Sequence, residues 1–515
     1  VIGGSFGYDI DVSLDEIKSP LPPRKVRVEV ESNVNKMPID SVNREIKTEV
    51  VTEKPVATVM ASAKKPWLKW GLIIGGIILV LALIGVLLSK KGGENSKKIV
   101  TLNYWGLWED ATTMDGVISD FEAKNPGIKI KYTRNLRNDY RTRLNGRLRK
   151  SGSGEVEDVD IFRFHNTWVP MFREHLDAVP NETVTKVGLE NDFLEVYKKD
   201  LKENGQWLSI PIMYDGLALF YNKDLLEAGK VEVPNNWWAL GEAAKQLTVK
   251  DAEGKILVSG AALGLANANV DHWSDIVGLM LKQNRVDMTK NLDASQVKTE
   301  DALKYYTSFS QSEENVWDKT LPNSTNLFAG GKLAFYFAPS WRVFDLQNLN
   351  PDLRYGIAPV PQLAVLGGVT EISDDTQLTD NHWASYWTEG VNKLSKHKKE
   401  AWKFLEYLSS PEVLEKLYTA QSQIRSFGEI YPRKSMTEKL KDNQKVWPFV
   451  SVADKADTWY LAGETGDDGV NSEMQKYFTD AINNIIRTNG VITTEMMTSF
   501  KDGIKQIQQK YNLRK

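Results

Sequence analysis

Cysteine is absent from all 515 residues, which removes disulfides, thiolate metal sites, a cysteine nucleophile and lipid attachment through Cys. Histidine is scarce, with five residues at 165, 175, 272, 382 and 397. No two are four apart and no His-Glu-x-x-His occurs, so the helix-borne zinc arrangement is missing. The carboxylate pairs Asp374-Asp375 and Asp467-Asp468 lack the twelve-residue calcium-loop pattern and read as solvated turns. No metal or cofactor is expected. An excess of positive charge is also lacking: from Ile99 to the end, 50 Lys/Arg face 57 Asp/Glu. That balance argues against nucleic acid as a partner.

Long apolar runs are missing too, with one exception. Gly71 to Leu88, GLIIGGIILVLALIGVLL, holds no charge and no proline. At 1.5 Å per residue it covers ~27 Å, close to a hydrocarbon core of roughly 30 Å, and Trp67 and Trp70 supply an aromatic collar. It reads as an uncleaved membrane-spanning helix over residues 66–89, because a signal peptide has a shorter apolar stretch ending in small residues. Lys54, Lys64 and Lys65 on one side nearly balance Lys90, Lys91, Lys97 and Lys98 on the other, so charge alone does not orient it. Residues 1–65 mix five prolines with ten basic and ten acidic residues and read as a mostly disordered tail. The alternation from Lys25 to Glu31 is one strand without a partner. The polar stretch 90–98, KKGGENSKK, is expected to act as a short tether.

After the tether the pattern changes. Ile99 to Trp105 is an apolar strand, Thr113 to Lys124 a helix, Ile128 to Tyr132 an alternating strand, Asp139 to Lys150 a helix and Val159 to Phe162 a strand. That rhythm predicts an α/β domain with a largely parallel sheet. Further helices are expected near Glu300–Phe309, Lys398–Leu408, Pro411–Ala420 and Asn471–Thr488. Fourteen tryptophans lie between Ile99 and Lys515. Aromatic faces suit the apolar C–H face of a sugar ring, with carboxylates and amides taking the hydroxyls, so carbohydrate is the leading ligand class.

Gln206 to Leu226, QWLSIPIMYDGLALFYNKDLL, resembles the signature of the extracellular solute-binding proteins of the maltose/maltodextrin-binding type. Further pieces follow in the family's order: Thr248–Lys255, Phe328–Phe335, Ala358–Pro361, Glu400–Leu405 and Ala456–Tyr460. The resemblance covers about four-fifths of the chain, from Ile99 on. It implies a two-lobed, type II periplasmic-binding-protein-like α/β fold, with one lobe from roughly 99–213 and 384–435 and the other from 218–380 and 440–515. It also implies a substrate-binding subunit of an ABC importer, monomeric, which delivers its ligand to permease subunits from the extracellular face. Family members are usually secreted or anchored at a Cys, and here the spanning helix in the lipid bilayer would replace that device.

The resemblance implies sugar stacking by Trp341 and Trp459 and an acidic contact at Asp215, with Tyr214 beside it. In such a fold the ligand lies where the strands of both sheets end. That logic adds Trp105, Trp108 and Glu109 after the first strand, and Arg163, His165 and Asn166 after the third, with helix capping an alternative for Asn166. Trp273, at a helix start, closes over the ligand or packs in the core. Of Trp383 and Trp387 at least one is expected in the core, and Trp402 and Phe404 are core by their helical spacing. A sensor or adhesin that uses the same fold is the alternative function. An anchored carbohydrate-active enzyme ranks lower, since nothing nominates a catalytic carboxylate pair.

Overall fold

Where apolar and charged residues alternate, the chain pairs into sheets. In Ile128–Arg134, Ile128 and Ile130 are buried while Lys129 and Lys131 face solvent, and the strand pairs in parallel with Val100–Gly106 along its whole length. The computed structural model describes residues 99–266, 269–290, 292–311, 314–365, 376–466 and 468–513. The expected tail, the expected spanning helix at 66–89 and the expected tether all fall outside the described residues, as do Asp374, Asp375 and Asp467. Among the described residues no helix is long and apolar enough to cross a membrane.

Two sheets organise the rest. In the first, Val100–Gly106 lies between Ile128–Arg134 and Ile161–His165, both parallel to it, and Trp387–Val391 is added antiparallel at the edge. The second sheet runs in the order Tyr355–Ala358, Leu217–Asn222, Leu333–Pro339, Ile256–Ala261, Val249–Lys250. Only the pair Leu333–Pro339 with Ile256–Ala261 is parallel. The expectation of a largely parallel sheet therefore holds for the first sheet and fails for the second. The reason is connectivity: alternation of strands and helices does not reveal which strands become neighbours.

The third strand begins two residues later than its apolar run suggests and continues through Arg163 to His165. Asp160 leaves the pattern because its carboxylate accepts from Asn103 N (2.8 Å) and Ser395 Oγ (2.5 Å). Arg163 and His165 stay inside because each has buried partners. Helices match their predicted places within a few residues: Lys398–Leu408, Pro411–Ser422 and Val470–Arg487. Trp402 and Phe404 are core, and Trp402 Nε1 donates to Asp177 (2.9 Å).

Between the sheets, stretches of chain run side by side. Gly216 bridges to Ala384 and Tyr214 to Ile430, while Ser385 N donates to Asp215 O (3.0 Å) and Ala384 N to Asp457 O (2.9 Å). His382–Trp383 and Ala456–Asp457 form a two-stranded parallel pair. These crossings put the C-terminal end of the third strand, Asp215 and Ser385 in one place.

Candidate functional site

A cavity of about 560 Å³ opens beside those crossings. Its wall on the first-sheet side carries Trp108, Glu109, His165 and Trp387, with Gln421 to Glu429 beyond. The first strand ends at Gly106, so the following turn carries Trp108 and Glu109 into the cleft, and Asp110 caps the helix Ala111–Lys124 by accepting from Thr112 N. Indole edges meet indole faces here: Trp108 and Trp387 are 5.5 Å apart and His165 and Trp387 5.2 Å, both edge to face. Such contacts fix ring orientation before any ligand arrives.

Beneath that wall lies Arg163. It is 1% exposed, bonds Glu109 through Nη1 and Glu389 through Nε (2.6 Å), and sits 5.0 Å from the Trp108 ring. Burial alone would drive off its proton, but Glu109 and Glu389 overcome that and hold its pKa well up. Burial in turn pushes the Glu389 carboxyl to about 6 despite Arg163. Trp108 Nε1 donates to Glu429 (3.0 Å), which also takes Arg425 (2.7 Å). Burial would raise Glu429, yet Arg425 and Arg163 bring it below the usual range.

The opposite wall lies on the second-sheet side. Trp341 stands just after the strand Leu333–Pro339, with the Arg342 guanidinium 4.3 Å from its ring and His272 edge-on at 5.8 Å. Asp215 lines the cavity, and its Oδ1 accepts from Gly216 N (2.7 Å) and Ser340 N (3.0 Å). Burial pushes its carboxyl up to about 7 in spite of those donors. Trp383 Nε1 donates to Asp275 (2.8 Å), whose other oxygen accepts from Gly463 N (3.0 Å). Contacts close the rim between the two walls: Phe344 with Phe427 at 4.7 Å, Arg137 with Glu464 at 3.0 Å, and Arg141 with Asp468.

Of the residues nominated from sequence, Trp108, Glu109, His165, Asp215 and Trp341 line this cavity. The other six do not. Trp459 is 4% exposed and packs on Tyr460 and Phe478, so it does not face Trp341 across a cleft. Trp105 points to the other face of its sheet, toward Tyr140 and Arg147. Arg163 lies below the surface of the site. Asn166 is tied to Asp200 (3.0 Å) and Thr458 (3.3 Å) behind the crossings, and the residue that caps the short turn there is His165. Tyr214 is buried in a crossing segment. Trp273 is half-buried against the core, while its neighbours His272 and Asp275 reach the cavity.

Sequence reading missed Phe344, Arg425, Phe427, Glu429 and Glu464 as lining residues. Phe344 lies in the first turn of the helix Arg342–Leu349 and the other four in loops, where no spacing rule marks a binding role. Of Trp383 and Trp387, expected to include at least one core residue, both are buried and both line the cavity.

Comparison with known proteins agrees with this architecture. Residues 116–483 match the family described as bacterial extracellular solute-binding protein. The multiple sugar-binding protein of Streptococcus mutans is 23% identical over 367 residues, covering 68% of this chain and 81% of that protein. Among solved structures, the cyclic alpha-maltosyl-1,6-maltose binding protein from Arthrobacter globiformis superposes with a TM-score of 0.61 at 16% identity, covering 80% of this chain and all (100%) of that one. The sugar-binding protein MalE from Xanthomonas citri gives 0.60 at 18% identity, covering 80% and 98%. At such identities the structural likeness speaks for the two-lobed fold.

Proposed function

This chain belongs to the bacterial extracellular solute-binding proteins, and on that premise we propose that it captures a sugar or oligosaccharide between its lobes and hands it to the permease of an ABC importer. The observation that carries the reading is the facing of indoles around carboxylates in one cavity of about 560 Å³: Trp108 and Trp387 on the first-sheet side, Trp341 on the second-sheet side and Trp383 from the crossing segment between them. That volume lies in the range of small-molecule sites. Sugar rings present apolar faces to indoles and hydroxyls to carboxylates, and this cavity offers both.

Asp215 and Glu109 are the polar contacts in this reading, with His165 beside them. Arg163 acts from below by fixing Glu109. The protein binds and releases its ligand and performs no chemistry on it. A spanning helix at 66–89, built on the apolar run Gly71 to Leu88, would hold the domain at the extracellular face of the cell membrane as a single-pass anchor, replacing the Cys-borne lipid of the family.

The test is titration of the full-length chain, kept in detergent, with neutral hexose oligosaccharides of two to four units. A change in tryptophan emission and a rise in melting temperature are expected. Silence from both signals across gluco-, galacto- and manno-configured panels would remove the carbohydrate assignment.

A further inference from the structure

The charge pattern of the cavity points to a narrower ligand class than sugars in general. We infer that the site takes uncharged glycans and rejects those carrying a carboxylate, sulfate or phosphate; this rests on the carbohydrate reading above. Among the described residues, seven carboxylates line the cavity against three guanidinium groups and no lysine.

Each of the three cations is already answered. Arg134 pairs with Asp110 (3.3 Å), Arg137 with Glu464 (3.0 Å) and Arg425 with Glu429 (2.7 Å). The buried Arg163 beneath the wall lies between Glu109 and Glu389. Asp345 is answered by Arg342 (2.9 Å), which leaves Asp215 and Asp275, whose acceptor oxygens are met by backbone and indole N–H groups.

A helix N-terminus is the other usual seat for an anion. Three helices begin at the cavity, and each sets a carboxylate at that end: Asp110 caps Ala111–Lys124 by taking the Thr112 N–H, Asp275 lies in the first turn of Trp273–Gln283 and Asp345 in the first turn of Arg342–Leu349. An anionic ligand would therefore enter a field of carboxylates, displace an existing ion pair, or both. Like-charge juxtaposition of that kind is a strong discriminator between otherwise similar ligands. A neutral glycan meets the same carboxylates as acceptors for its hydroxyls.

The experiment is calorimetry on the full-length chain in detergent, with each neutral di- to tetrasaccharide of the hexose panel set against its counterpart oxidised to a carboxylate at C6. The neutral member is expected to bind at least tenfold more tightly. A carboxylate form that binds equally or better would overturn the inference while leaving the carbohydrate reading in place. If no glycan of either kind binds, the carbohydrate reading falls and this one with it. Two variants, both read at pH 8.5 where Asp215 is ionised, separate charge from shape: Asp345→Asn at the rim and Asp215→Asn inside, with circular dichroism to check folding. Each should narrow the neutral-to-anionic ratio several-fold, and an unchanged ratio in both would overturn charge as the cause.

Discussion

Trp341 and Trp459 show how far a side chain's chemistry can be read without its surroundings. Both carry indoles after segments that resemble the family, yet one lines the cavity and the other is packed between Tyr460 and Phe478. The difference lies in which side of a local turn faces the cavity, and no residue type records that. It predicts opposite phenotypes. Trp341→Ala should weaken glycan binding at least tenfold, about 1.4 kcal/mol or more, with little change in melting temperature. Trp459→Ala should cost ~3–5 kcal/mol of stability, seen as a lowered urea midpoint. A Trp459→Ala protein with unchanged stability would contradict its placement in the core. Glu109 was legible from its position after the first strand and Asp215 from the family resemblance, whereas Arg163, expected at the surface of the site, is buried as the counter-charge that keeps Glu109 in place.

Elements were read well where one period dominated. The helix Lys398–Leu408 and the strand Ile128–Arg134 follow their apolar spacing closely. The third strand was not, because Arg163 and His165 look like a strand's end until their partners across the sheet are known. Strand neighbours in the second sheet were equally hidden. The crossing segment 214–216 depends on a position with no side chain: a Cβ at Gly216 would overlap the Trp383 carbonyl oxygen and crowd the Tyr214 hydroxyl. Gly216→Ala should therefore separate the two crossing segments and misplace Asp215. Glycan affinity is expected to fall more than tenfold while far-UV circular dichroism stays close to that of the parent. Unaltered affinity would mean that the crossings tolerate displacement without moving the site.

For the whole molecule, three buried carboxylates set a pH signature. Burial pushes Asp200 and Asp215 to about 7 and Glu389 to about 6, all above their ordinary values near 4. Between about pH 4 and 7 the folded chain keeps protons that the unfolded chain has released. Stability from these groups is greatest at low pH, declines as pH rises toward 7 and is level above that. His175 and His382, lowered mainly by burial, act in the opposite sense below pH ~6.5. Carboxylates held low by their partners, such as Asp192 and Asp271, matter only below about pH 4. Asp200→Asn isolates one contribution: its melting temperature should change less favourably on going from pH 7.5 to 5.5 than that of the parent. Equal changes in the two proteins would show that Asp200 titrates normally.

The edge strand Trp387–Val391 has a consequence for how the polypeptide comes into being. It completes a sheet whose other three strands are finished by His165, so more than two hundred intervening residues must emerge before that sheet can close. A ribosome that has made everything up to Pro339 has produced all but the last edge strand of the second sheet and none of the final rail of the first. Contacts so distant along the chain slow folding. A nascent chain that stays open until late is also one that can still be threaded across an envelope before it sets.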